Sequence, residues 1–161
     1  MAAGSRLRGL SWNGDKENVM AITVTKVDVW AADIEDKVGT LDKVLEAIAT
    51  AGGNVECVIA RRHPGKAGMS QVFVSPVKGA KVIKAAKAVG LAPAADMGTL
   101  RVESGNKVGE GHKVMAAIAA AGINVRGISV VGMGNKGVAY IGFDSKADAD
   151  KAMKAVKGVG K

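Results

Sequence analysis

From Leu41 onward the apolar residues recur at Val44, Leu45 and Ile48, and Ala51 continues the same face. That i, i+3, i+4, i+7 spacing predicts a helix with one buried side. Runs rich in β-branched residues flank it: "ITVTKVDVWAA" before, and "NVECVIARR" and "SQVFVSPV" after. The last two are joined by "HPGKAGM", a segment with turn chemistry, so they read as a hairpin. A second helix follows, with Val82, Ala85, Ala86 and Val89 on one face. The pattern then starts again. "GTLRVES" reads as a strand, and Val114, Met115 and Ile118 keep the helical stripe, although Gly111 stands where Leu41 does. "NVRGISVVG" and "GVAYIGF" form a hairpin turned tightly at "MGNKG". The last helix carries Ala149, Ala152, Met153 and Val156, and Ser145 with Asp148 forms a capping box at its start.

The two halves are one unit written twice. Shifted by 70, "DKVGTLDKVLEAIATAGGNV" lies over "NKVGEGHKVMAAIAAAGINV" without a gap. Lys37/Lys107, Gly39/Gly109, Val44/Val114, Ile48/Ile118, Gly52/Gly122 and Asn54/Asn124 are among the identities. Gly52 and Gly122 stand where a helix end takes a positive φ. The order β-α-β-β-α, twice, predicts an α+β protein of two ferredoxin-like βαββαβ units in tandem, antiparallel sheets with the helices on one face. The expected division is an extension at 1–19, a first unit at 20–97 and a second at 98–161. Copy one can draw its last strand from "GLAPAADM", although Pro93 weakens it. Copy two lacks its last strand: either its sheet is three-stranded, or a neighbouring domain or chain covers the edge. The facing of the first strand, and so of Trp30, is open in both directions.

Hydrophobic residues make up 48% of the 161, which suits a folded chain. No apolar run reaches the ~18 residues of a membrane span, so no membrane association is expected. The N-terminal stretch lacks the continuous apolar core of a secretory signal, and Met20 is an alternative start. Cys57 stands alone, which excludes a disulfide framework or cysteine-cluster metal site and suggests a cytoplasmic protein. The net charge of +8 hints at nucleic acid. However, Lys87, Lys146, Lys151, Lys154 and Lys157 fall on the polar sides of helices, and aromatic residues are only 3%. The middle strands offer Phe73, Tyr140 and Phe143 as stacking platforms, with no RNP-type run. Binding of RNA or DNA by a basic ferredoxin-like module is therefore the alternative, and nucleic acid is not the expected partner. No carboxylate pair, Ser/His/Asp set or metal-ligand spacing appears, so no catalytic residue, metal or cofactor is assigned. His63 reads as an exposed hairpin residue and His112 as a solvated one.

At the helix-to-strand junctions the sequence resembles the ACT domains, small regulatory modules that bind amino acids. The resemblance rests on "DKVG" (Asp36–Gly39) and "NKVG" (Asn106–Gly109) before the first helix of each copy, and on "AGGNV" (Ala51–Val55) and "AGINV" (Ala121–Val125) after it. It covers about Ala21 to Lys157 and matches the stand-alone tandem type. Val38 and Val108 depart from the family's proline, and Gly111 from its aliphatic residue. The resemblance implies a non-enzymatic regulatory protein that binds a free amino acid at an interface between two such units. It would act in trans on a partner enzyme or transcription regulator, and a homodimer is implied. The binding residues it points to are Asp36, Val38, Gly39, Thr40 and Leu41 with Asn54 and Val55 in copy one. In copy two they are Asn106, Val108, Gly109, Glu110 and Gly111 with Asn124 and Val125. Gly111 suggests a roomier site in copy two, and Gly53 a looser junction in copy one. On residues alone, each asparagine reads rather as a turn residue, and the resemblance brings the two readings level. An ACT-like adaptor that binds no ligand is a further alternative.

Overall fold

The computed structural model describes residues 21–159. The expected extension at 1–19, and Met20, lie outside the described residues. The chain forms β1 (Thr23–Lys26), β2 (Trp30–Glu35), α1 (Thr40–Thr50), β3 (Cys57–Arg62), β4 (Met69–Ser75), α2 (Ala80–Ala88) and β5 (Ala92–Pro93). β6 (Gly98–Gly105), α3 (Glu110–Ala120), β7 (Gly127–Met133), β8 (Lys136–Phe143) and α4 (Lys146–Val159) follow. Two antiparallel four-stranded sheets result, ordered β3-β4-β2-β5 and β1-β6-β8-β7.

The run expected as one long first strand is two strands serving different sheets. β2 pairs with β4 and with the two-residue β5 in the first sheet. β1 crosses to the second sheet and pairs with β6, Thr23 opposite Glu103 through Lys26 opposite Leu100. Between Gly98 and Val159 the second unit supplies three strands of its sheet, and β1 fills the fourth place. A bare β6 would present a row of unsatisfied N–H and C=O groups, which β1 removes. Residues 23–26 therefore belong to the second sheet, and a division at 97/98 describes the chain but not the sheets.

Each sheet buries one face under its two helices. Trp30, Ala32, Ile34, Val72 and Val74 meet Val44 and Ile48 of α1 and Val82 and Ala86 of α2, so Trp30 points to the helices. In the second core Val24, Leu100, Val102, Ile141 and Phe143 meet Val114 and Ile118 of α3 and Ala149, Ala152 and Val156 of α4. Phe143 is thereby removed from the set of stacking platforms. Gly52 and Gly122 have φ of 84° and 70°. The N–H of Gly53 reaches back to the Ile48 carbonyl at 2.9 Å, closing the end of α1. Met133 and Lys136 flank a two-residue turn with Gly134 at φ 59°.

The Asp148 N–H donates to Ser145 Oγ at 3.0 Å, and the Ser145 hydroxyl donates to the Asp148 carboxylate at 2.7 Å, as the capping pattern predicts. Ser145→Ala should cost about 1 kcal/mol. At ~2–4 °C per kcal/mol for a chain this long, thermal unfolding should register the loss.

Candidate functional site

The first helix of each unit begins in the same way. Gly39 and Gly109 sit at φ 83° and 86° in the left-handed region, a conformation that strains any other residue, and each forms the N-cap. Neither helix has a side-chain cap, so the first-turn N–H groups at Leu41 and Asp42, and at Gly111 and His112, lack intrahelical acceptors and point along the positive end of the dipole. Val38 and Val108, at the loop tips, are fully exposed in both copies. Exposed valines at two equivalent loop tips are apolar area that a ligand or a second chain can cover.

The residues that open the loops differ in kind. The Asp36 carboxylate accepts from Arg62 Nε at 2.8 Å and from the Ser70 hydroxyl at 3.3 Å. Asn106 instead donates its amide N–H to the Gly134 carbonyl at 3.0 Å. Its amide nitrogen lies 2.9 Å from where a Cβ of Gly132 would stand, so it braces the β7–β8 hairpin. The cleft beside the first loop, about 280 Å³, is bounded by Asp36, Lys37, Leu41, Arg62 and Ser70 and presents both charge signs. The cleft beside the second loop is about 100 Å³ and is bounded by Asn106, Glu110, Gly111 and Met115. Gly111 has open space around it, yet this cleft is the smaller. Glu110 places its own carboxylate, paired with Lys113 at 2.7 Å, in the first turn, where Thr40 stands in copy one. The junction at Gly53 is tight rather than loose: a Cβ there would lie 2.6 Å from Ile48 Cγ2 and 2.8 Å from Val82 Cγ1.

Asn54 and Asn124, with Val55 and Val125 after them, lie at the other end of their units. α1 and α3, 11 residues each, separate the asparagines from the loops, roughly 16 Å at 1.5 Å per residue. β3 runs parallel to β2 because both pair antiparallel with β4, so its start is remote from the loop that ends β2. Neither asparagine adopts a positive φ. Both are exposed, and their amides bond nothing among the described residues. They are not turn-makers in the left-handed sense, and within one unit neither meets its own loop.

His63 is more covered than expected. Its Nδ1 accepts from the Gly65 N–H at 3.1 Å and its Nε2 lies 3.9 Å from the Asp33 carboxylate. Lys66 donates to that carboxylate and holds Asp33 below the usual carboxyl range. Among the described residues no group of three or more His, Cys, Asp or Glu could hold a metal, and no helix is long and apolar enough to cross a membrane.

Neither a protein-family model nor a curated protein matches the sequence. Solved structures do match the fold. The ligand-free regulatory subunit of aspartate kinase from Thermus thermophilus aligns over 89% of this chain and 99% of its own, with a TM-score of 0.63 and 18% identity. Protein BT0572 from Bacteroides thetaiotaomicron aligns over 84% of this chain and 89% of its own, with a TM-score of 0.70 and 17% identity. The aspartate kinase of Clostridium acetobutylicum matches at a TM-score of 0.58 and 17% identity, over 89% of this chain but 34% of its own. The chain shares the fold of these structures, two antiparallel four-stranded sheets each covered on one face by two helices. In this tandem fold the loop and the asparagine of each unit face opposite ends of the sheet. A ligand touching both must therefore lie between units arranged head to tail.

Proposed function

We propose that the chain is a non-catalytic regulatory protein that binds a free amino acid between ACT units of two copies and acts in trans on a partner enzyme or transcription regulator. One observation carries this reading: the uncapped, Gly39-headed start of α1 opens beside a cleft holding Asp36 and Arg62 as an exposed, exchangeable pair. An amino acid can replace that pair with its own charges, its ammonium on Asp36 and its carboxylate on Arg62 and the first-turn N–H groups. A carboxylate at such a helix start gains about 0.3–1 kcal/mol, up to ~2 when partly buried. Asn54 or Asn124 of a second copy, with its unbonded amide, would complete the polar shell, which makes the homodimer part of the site. The likeness to a regulatory subunit supports the same class of role. Copy one is the working site in this reading, because Glu110 already places negative charge in the first turn of α3. The ligand would act by favouring one association of units over another, through its differential affinity for the two.

The test is thermal unfolding of the full chain against each common amino acid. A ligand at 100 times its dissociation constant stabilises by about 2.7 kcal/mol. At ~2–4 °C per kcal/mol the shift should be roughly 5–10 °C. It should appear for one or a few related amino acids and be lost in Asp36→Ala and Arg62→Ala. Sedimentation should report a dimer that the ligand tightens. No shift with any amino acid overturns the ligand reading and leaves the adaptor.

A further inference from the structure

The faces of the two sheets that carry no helices converge on one cavity of about 240 Å³. Its walls are equivalent positions of the two copies. Phe73, opposite Ile59, corresponds to Tyr140, opposite Ser129. Cys57, opposite Ser75, corresponds to Gly127, opposite Gly142. At three of these four positions the second copy carries the smaller residue. Facing sheets ordinarily interdigitate and fill the space between them. Here nothing lies within 4 Å of where a Gly127 Cβ would stand, so the void opens on the side of the second sheet.

Its chemistry is one-sided. Ile59, Phe73, Met97 and Val29 supply an apolar body, and among the described residues no acidic side chain lines it. Two guanidinium groups reach it. Arg126 is already bound to the Asp96 carboxylate at 2.9 Å, an exposed pair that holds Asp96 below its usual range. The Arg61 guanidinium has neither an ion pair nor a hydrogen bond among the described residues. Nearby Arg101 is held by Glu103 and the Tyr140 oxygen, and lies 3.7 Å from Glu56. The Tyr140 hydroxyl can still donate. Among the described residues an ammonium group would find no carboxylate lining this space.

We propose that this inter-sheet cavity is a second binding site, for a small monocarboxylate with an aromatic or branched apolar body and no ammonium group. The body lies against Ile59 and Phe73, and the carboxylate takes Arg61. The volume corresponds to on the order of eight waters at ~30 Å³ each, which suits a single ring with a short acid chain. Phe73 and Tyr140 face this interior and form no open platform for stacked bases.

The test uses the full chain with 3-phenylpropionate as probe. Calorimetric titration should give saturable binding, at least tenfold weaker for 3-phenylpropionamide and for phenylalanine. Arg61→Gln should weaken it about tenfold, and Gly127→Leu, whose Cβ enters open space and whose side chain would occupy the void, should abolish it with the fold retained. Cys57 is half-buried in the wall, so saturating probe should slow its alkylation at least fivefold. Asp36→Ala and Asn124→Ala should leave probe binding unchanged, which separates this site from the loops. Absence of saturable binding, equal binding of phenylalanine, binding that survives both Arg61→Gln and Gly127→Leu, or unchanged alkylation of Cys57 would each overturn the proposal.

Discussion

Val24→Asp should destabilise the protein by about 3–5 kcal/mol, the cost of an uncompensated buried charge. Thermal unfolding should then fall by roughly 6–20 °C. Val24 is 7% exposed, sits in the core of the second unit, and is the one buried residue of β1. The strand touches α4 as well as β6, so a charge there disturbs the sheet edge and the helix above it together. The exposed ion pair of Lys26 with Asp150 at 2.6 Å cannot hold the strand by itself, since such pairs contribute little. Burial raises the folded-state pKa of the introduced carboxyl above its unfolded value of ~3.9. The deficit should therefore be smallest below about pH 4 and grow as pH rises through the raised value. Thr25→Ala, on the exposed side of the same strand, should stay within ~0.5 kcal/mol. If Val24→Asp behaved like Thr25→Ala, β1 would not be a working part of the second sheet.

The exchange of β1 was hidden by its phase. Val24, Trp30, Ala32 and Ile34 all have even numbers, so one uninterrupted alternation fits them as a single strand with one buried face. Only Lys26 and Asp28 at even positions, with Val27 and Val29 at odd ones, mark the crossing between the sheets. The rest of the architecture was legible because each copy carries its own local signals: the helical stripes, Gly52 and Gly122 at the helix ends, and turn chemistry at "HPGKAGM" and at Gly134. The missing strand of copy two was legible as a gap, while its filler depended on a pairing far along the chain. The loops at Gly39 and Gly109 could be found from the repeat. That Asn54 and Asn124 lie away from them follows from the crossover topology, because a helix between two parallel strands returns the chain to the opposite end of the sheet. The inter-sheet cavity left no local trace. Ile59, Phe73, Ser129 and Tyr140 occupy open-face positions by alternation, but no pattern within a strand says that two open faces will meet.

Although the junctions "AGGNV" and "AGINV" occupy equivalent places, their residues should not be interchangeable. Gly53→Ile, which gives copy one the residue of copy two, should cost about 1–3 kcal/mol or more through overpacking. The new Cβ alone would stand 2.6 Å from Ile48 and 2.8 Å from Val82, and neither is the free end of a flexible chain. In the second core Ile123 is accommodated at 9% exposure, and there α4 contributes the alanines Ala149 and Ala152 where α2 contributes Val82. The two cores thus divide a similar volume differently, glycine with valine in one and isoleucine with alanine in the other. Val82→Ala alone should cost about 1–3 kcal/mol as a large-to-small change. The double variant should then be more stable than the sum of the two by 0.5 kcal/mol or more, within the ~0.5–3 kcal/mol range for residues in contact. Conversely, Ile123→Gly should cost about 2–5 kcal/mol for the cavity and a further ~0.5–1 for backbone freedom. Strict additivity of Gly53→Ile and Val82→Ala in denaturant unfolding would show that the clash is relieved elsewhere. Coupling would mean that the copies have diverged as compensated pairs inside their cores. Their loops, which share no such packing constraint, were then free to differ, with Asp36 bonded to Arg62 and Ser70 in one copy and Asn106 to the Gly134 carbonyl in the other.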